Sequence, residues 1–473
     1  MPSEPSPFRP RNILLGLAAL LLAGGAYFAT SDDAQRSAKL RAAEAAGDLA
    51  TRVVAARAGD QGGGHSSDFI KIPIEVRKLG DAIYQARGVG NTHVIATSEG
   101  HVVFDTGLAT QAAKQRRLLD EALPEGPITH VILSHSHQDH AGGAPFWIDE
   151  GTKVVAHEEY AEEQRYLKEL EDYLWFRNRT LFTWMPESPP KSGMFAYGGV
   201  EPTVLVDQPD ALEFEQGGVR FVVLPTPGAE GADNVCLWLP DEKVLFSGDF
   251  FGPNFPQFPN VFTMRGEKVR KPIEYITSLE RIIALEPEMI VPSHQDPIEG
   301  KAEILAALIK MRDATQFVHD AVIAGMNAGK SVEDLMKEVV LPPELELTQI
   351  HGRVSWAVKS IWEYYATWFH FDSTTELYPV HRSEVAAEIA ALAGLDALAE
   401  KATEHVSHGE NVEALHLLEI SLAGDPNHRP SLLARKAALS KLLEEAESTF
   451  RNSYEMEWLN YRLRITNEAL ASN

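Results

Sequence analysis

The stretch Ile128–Gly143, "ITHVILSHSHQDHAGG", sets a run of β-branched and apolar residues directly against three histidines and an aspartate. The run Thr129–Leu133, "THVIL", predicts a strand. In an extended segment residues two apart project to the same side, so His135 and His137 reach one point together. A turn then redirects Asp139 and His140, which are adjacent and diverge, toward a second point. Ordinary loops have no need of such convergence, whereas a divalent metal site requires it. Imidazole combined with carboxylate suits zinc or another borderline first-row ion.

Outward from this stretch the chain alternates between the two periodicities. "HVIATSEGHVVFDTG" predicts a β-hairpin about a "SEG" turn, ending in Asp105, Thr106 and Gly107. Helical spacing follows through Ala113, Leu118, Leu119 and Leu123. Further strands are expected at "KVVAH", "TVLV", "VRFVVLP", "VCLWLP", "KVLFSGD" and "MIVPSH". Strands and helices in this order predict a mixed sheet sandwich flanked by helices. Beyond Gly300 strand signals vanish. Ile304, Leu308, Met311, Phe317 and Val318 fall near helical spacing, and "VEALHLLEISLAGDPNHRPSLLARKAALSKLLEEA" predicts one tetratricopeptide-like helical hairpin about a "GDPN" turn.

The chain of 473 residues carries 43 basic and 68 acidic side chains, a net charge of −25. No stripe concentrates the Lys and Arg, which excludes nucleic acid as a partner. An anionic substrate would need a local cation against this background. Cys236 is the only cysteine, set among core-type residues, so neither a disulfide framework nor a cysteine metal knuckle is available. Arg9 and Arg11 precede an apolar run from Ile13 to Ala29, which predicts a signal peptide or membrane anchor in residues 1–30 and export to the periplasm. Residues 31–68, Ala-rich and then Gly-rich, read as a linker.

With its downstream residues, the H-x-H-x-D-H motif resembles the metallo-β-lactamase-fold hydrolases. "FSGD" supplies Asp249, matching the carboxylate that bridges two metals, and "VPSH" supplies His294. Many members have a histidine in a "PGH" turn. This chain reads "PTPGAEGADN", with Glu230 in its place, a pattern similar to the alkyl sulfatase branch. "NVFTMRGEKVRKP", "IHGRVSWAVKSIWEYYATWFHFD" and "FRNSY" extend the likeness over roughly residues 70 to 465.

The resemblance implies an α+β architecture. A metallo-β-lactamase αββα sandwich over 69–300 would be followed by an all-α dimerisation domain over 301–473, hence a homodimer. It implies two Zn2+ ions, with His135, His137 and Glu230 on one, Asp139, His140 and His294 on the other, and Asp249 shared. Asp105 would orient ligands. The three ligand carboxylates nearly cancel two divalent ions and one hydroxide, so Arg265, beside Asn260, is expected to supply the charge that binds an anionic ester. The implied reaction is hydrolysis of an amphiphilic alkyl sulfate, through a metal-activated water near Asp139, to alcohol and inorganic sulfate. Another ester class, a phosphoester or lactone, is the alternative, and a non-catalytic envelope interaction protein the third. Two family histidines are replaced, by Pro259 and Trp356. Arg353 lies three residues before Trp356 and is expected to serve the anion instead. Trp175, Phe176 and Trp184 are candidates for lining an alkyl channel or for core.

Overall fold

The computed structural model describes residues 33–60, 72–193, 196, 199–207, 210–262 and 264–472. The apolar run Ile13–Ala29 lies outside the described residues. Among those described, no helix is long and apolar enough to cross a membrane.

The order of elements is α1 (Asp33–Asp60), β1 (Val76–Lys78), β2 (Ile83–Ala86), β3 (Thr92–Thr97), β4 (Gly100–Phe104), α2 (Ala109–Ala122), β5 (Ile128–Ile132), α3 (Gln138–Ala141), β6 (Lys153–His157), α4 (Tyr160–Glu169) and α5 (Glu171–Leu181). Then come β7 (Val204–Val206), β8 (Leu212–Gln216), β9 (Val219–Pro225), β10 (Val235–Leu239), β11 (Val244–Gly248), α6 (Pro272–Leu285), β12 (Met289–Pro292) and β13 (Ile298–Glu299). The rest is helical: α7 (Lys301–Asn327), α8 (Val332–Glu338), α9 (Val354–Ala366), α10 (Ala386–Ala393), α11 (Leu395–Ser407), α12 (Asn411–Gly424), α13 (Arg429–Ser448) and α14 (Ser453–Ala471).

Strands β1 to β7 form a seven-stranded sheet in sequence order, and β13-β12-β11-β10-β9-β8 a six-stranded one. The alternation of a strand decides which layer each residue enters. Val102, Phe104 and Ile132 point between the sheets, where they meet Phe221, Val223 and Phe246. Their neighbours Val103 and Val131 point outward, under Leu40 of α1 and Ala112 and Leu119 of α2. On the second sheet Leu245 and Ile290 point outward, under Leu279 and Ile282 of α6 and Leu308 and Met311 of α7. Helices thus cover both outer faces, the αββα order expected.

Two boundaries differ from the sequence reading. Residues 33–60, read as part of a linker, form a helix that lies along α2. It buries Leu40, Ala43 and Ala46, and pairs Glu44 with Arg117 at 2.7 Å, Asp48 with Lys114 at 3.3 Å and Arg36 with Asp149 at 2.7 Å. A Cβ at Gly47 would sit 2.0 Å from the Thr110 carbonyl oxygen, so glycine is what lets the helices approach. The boundary at 300 is also not a break in packing. Residues of α7 and α9 share one apolar cluster with the second sheet, and a separate small core of Ala402, Ala414, Leu418, Ala434 and Ala438 appears only in the helices beyond. Among these, α12 and α13 make the expected hairpin.

Leu308 is fully buried in the cluster that joins the two halves. Leu308→Ala is expected to cost about 2–5 kcal/mol in denaturant unfolding. Because the cluster is shared, near-ultraviolet and far-ultraviolet signals should shift together. A shift confined to one of them would mean that the halves unfold independently.

Candidate metal centre and active site

The site lies where β4, β5, β11 and β12 end. β4 pairs with β5, and β11 with β12, in parallel, so all four deliver their C-terminal residues to one edge. Asp105, directly after β4, is fully buried with a left-handed backbone (φ 57°). Its carboxylate accepts from Ser134 N at 2.8 Å, Ser134 Oγ at 2.8 Å and Ser293 Oγ at 2.6 Å, and contacts His140 Nδ1 at 2.9 Å. The chain after β5 is thereby tied to the chain after β12. The end of β11 comes equally close: a Cβ at Gly248, where φ is +55°, would fall 2.5 Å from the Ser134 Cβ.

Each of the four imidazoles has one nitrogen tied outward and one turned inward. His135 Nδ1 meets Ser134 Oγ at 3.0 Å, His140 Nδ1 meets Asp105, and His294 Nδ1 meets the Val89 carbonyl oxygen at 2.6 Å. His137 Nε2 faces Glu267 Oε1 at 3.3 Å. The inward nitrogens converge. His135 Nε2 and His137 Nδ1 are 2.8 Å apart, with Glu230 Oε2 at 3.8 Å from the latter. His294 Nε2 and His140 Nε2 lie 3.1 and 3.4 Å from Asp249 Oδ2, and both lie 3.5 Å from Asp139 Oδ2. His140 Nε2 and Asp249 Oδ1 are buried without a hydrogen bond. Outward-tied imidazoles with converging free nitrogens and interspersed carboxylates are the donor arrangement a metal centre needs. The side chains expected from sequence are brought together here: His135, His140 and Asp249 could hold a metal ion, as could Asp139, His140 and His294, and so could His137 and Glu230 together with Glu267.

The electrostatics agree. Burial pushes the His135 imidazole down to about 3, with the neighbouring His140 and His137 adding to the effect, which leaves a neutral donor. Burial also disfavours charge on His140, but Asp249, Asp139 and Asp105 outweigh it and hold that imidazole well above its ordinary range. Burial would raise Asp139 as well, yet the charges of His140 and His294 keep it below the usual carboxylate range. The pocket around His140 therefore favours positive charge.

Beside the donors lies a network that the sequence reading only half identified. Arg265 Nη2 donates to Glu230 Oε2 at 3.0 Å. Arg270, 4% exposed, donates to both oxygens of the same carboxylate, at 2.9 and 2.8 Å. Glu267 pairs with Arg265 and Arg270, each at 3.1 Å. Glu267 and Arg270 were not anticipated. The available signal was a cluster of charges, "RGEKVR", in a segment without helical or strand period. The two carry opposite charges, so they leave the balance of the ligand carboxylates unchanged.

Arg353 is placed differently from its expected role. Its guanidinium bonds Glu455 and lies over the Trp356 ring at 5.2 Å and the Phe450 ring at 5.5 Å. It begins α9 as the cap residue and is held between α9 and α14. What the helical half brings toward Asn260 is His351, whose Nε2 lies 3.2 Å from the Asn260 amide and whose ring lies 4.9 Å from that of Tyr454. Burial pushes His351 down to about 4. Phe176 is 67% exposed and Trp175 donates to the Pro186 carbonyl oxygen. Trp184 packs on Phe182, which in turn faces Tyr454 at 6.5 Å. A cavity of about 540 Å3, lined by His157, Glu163, Tyr166, Glu230, Glu267 and Arg270 among others, opens beside the network.

Glu230 thus has two tasks, as donor and as partner of Arg270. Glu230→Ala is expected to lower both bound divalent metal, by elemental analysis, and the melting temperature. The second effect follows because a guanidinium left buried and short of its partner costs about 3–5 kcal/mol. Arg353→Ala should leave metal content unchanged; a loss of metal would place that residue at the site after all.

Residues 86–294 match the model of the metallo-beta-lactamase superfamily, and residues 331–463 that of alkyl sulfatase dimerisation. A linear primary-alkylsulfatase from Pseudomonas is 27% identical over 64% of this chain and 60% of its own length. An alkyl/aryl-sulfatase from Saccharomyces cerevisiae is 25% identical over 80% of this chain and 62% of its own. The chain therefore spans about three fifths of the length of the curated relatives it matches. The solved structure of a stereoselective inverting sec-alkylsulfatase from Pseudomonas superposes with a TM-score of 0.71 at 23% identity, covering 84% of this chain and 66% of that one, a likeness of fold.

Proposed function

From a chain that joins a metallo-beta-lactamase superfamily domain to an alkyl sulfatase dimerisation domain, we propose a dinuclear zinc hydrolase that cleaves alkyl sulfate esters to alcohol and inorganic sulfate. The carrying observation is the set of inward-facing imidazole nitrogens with Arg265 beside them. His135, His137 and Glu230 would hold one ion, Asp139, His140 and His294 the other, with Asp249 between them. Bound there, the ions supply Lewis-acid polarisation and a water of lowered pKa.

The protein's own groups account for the rest. Arg265 pairs with Glu267 side-on, through Nε and Nη2, which leaves Nη1 outside the fork for the oxygens of an anion. As the water oxygen bonds to the ester carbon, the ester carbon–oxygen bond breaks and its electron pair leaves with the sulfate, whose growing charge the guanidinium meets, while the proton given up by the water passes to solvent. Asp139, the most open carboxylate of the donor set at 29% side-chain exposure, accepts a hydrogen bond from the attacking water and orients it. Asn260 and the neutral His351 add polar contacts where the usual family histidines are replaced by Pro259 and Trp356. Phe182 and Tyr454 give the site an apolar wall.

Purified protein is expected to carry two zinc ions per chain and to release inorganic sulfate from primary or secondary alkyl sulfates. Arg265→Ala should lower kcat/KM by tenfold or more, the loss of a charge-assisted bond of about 1.5–3 kcal/mol. A zinc-loaded enzyme that releases no sulfate from the whole panel would move the substrate to another ester class.

We also propose a homodimer. Trp368, Phe371, Tyr378 and Leu392 are 62–90% exposed on the helical half, within the residues that match the alkyl sulfatase dimerisation model. Sedimentation at micromolar concentration should give twice the chain mass, and a monomer there would contradict the assignment. Export is proposed from the run Ile13–Ala29 alone.

A further inference from the structure

Three of the site's four imidazoles are fastened by the sheet edges themselves, through Ser134, Asp105 and the Val89 carbonyl. The fourth, His137, has no such partner. Its Nε2 faces Glu267 Oε1 at 3.3 Å, and Glu267 comes from the loop that carries Arg265 and Arg270. That carboxylate is 7% exposed and lies between the His137 ring and the guanidinium groups of Arg265 and Arg270.

We propose that Glu267 is the positioning residue of the ion held by His135, His137 and Glu230; this rests on reading the donor set as a metal centre. A neutral imidazole has a single N–H. A carboxylate at Nε2 fixes that hydrogen there and leaves the lone pair on Nδ1, the atom that faces His135 Nε2 at 2.8 Å and Glu230 Oε2 at 3.8 Å. Glu267 acts a second time through the arginines. It takes two contacts from Arg265 and one from Arg270, both of which also donate to Glu230, so it keeps a ligand carboxylate from being claimed wholly by two guanidinium groups. Loss of Glu267 thus frees the His137 ring and masks Glu230 together. The ion between Asp139, His140 and His294 has neither dependence, since its imidazoles are fastened by Asp105 and Val89.

The test is zinc affinity, measured by competition with a chromophoric chelator on the full chain. Glu267→Ala should weaken one of the two ions by about 10–100-fold and leave the other unchanged. Glu267→Gln, whose side-chain oxygen still accepts from Nε2–H, should recover part of the loss. It also guards against a misfolded alanine variant. Nitrogen-15 shifts of His137 in the native chain should report the Nε2–H form. Native affinity for both ions in Glu267→Ala, or equal weakening of both ions in the two variants, overturns the assignment. A native chain that binds no zinc refutes the metal centre and this inference with it, whereas two ions retained in both variants refutes only the role of Glu267.

Discussion

The Asp105 carboxylate is the point on which the site depends. One buried anion gathers the backbone and hydroxyl of Ser134 from the first sheet, the hydroxyl of Ser293 from the second, and the outer nitrogen of His140. Burial alone would neutralise it, but the charge of His140 and the converging donors hold it ionised. An unpaired charge at that depth would be costly, so the groups around Asp105 have little freedom to be elsewhere. The left-handed backbone at Asp105 is a conformation aspartate tolerates better than most residues. It turns the chain out of β4 at the place where this carboxylate can reach both sheets.

How much of this could be read from the sequence depends on the period of each segment. His135, His137, Asp139 and His140 announced themselves because they follow a strand whose apolar run is unmistakable. Asp249 and His294 stand at the ends of "KVLFSG" and "MIVPS", but it was the family resemblance, not the period of those strands, that singled them out. The helix Asp33–Asp60 could not be read, because it buries Leu40 and two small alanines rather than a stripe of large residues, with ion pairs alongside. Strands β1 and β2 are too short to show an alternation. Glu267 and Arg270 sit in a loop, where composition carries no direction, and only their placement against Glu230 gives them meaning. Arg353 illustrates the converse: its spacing from Trp356 did bring the two together, but a nearby acid, Glu455, took the charge.

The two halves of the chain are less separate than their sequences suggest. Because α7 and α9 complete the outer layer of the second sheet, the segment leading into α9 is held firmly enough to place His351 against Asn260. Asn452 reinforces it, donating to the His351 and Gln349 carbonyl oxygens. The helical half is therefore one wall of the site as well as a candidate surface for assembly.

The pairing of α1 with α2 has a directional consequence. α2 begins just after Asp105 and runs away from the site edge. Asp48 and Glu44 of α1 meet Lys114 and Arg117 in turn, and Arg36 reaches Asp149 in the turn before β6. The two helices are thus antiparallel, and the start of α1 lies at the end of the sandwich opposite the converging imidazoles. With 28 residues, at about 1.5 Å of rise each, α1 is a rod roughly 40 Å long fastened to the body rather than a slack leash. Any tether attached ahead of Asp33 would hold the molecule by its far end, with the mouth of the site turned away from the point of attachment.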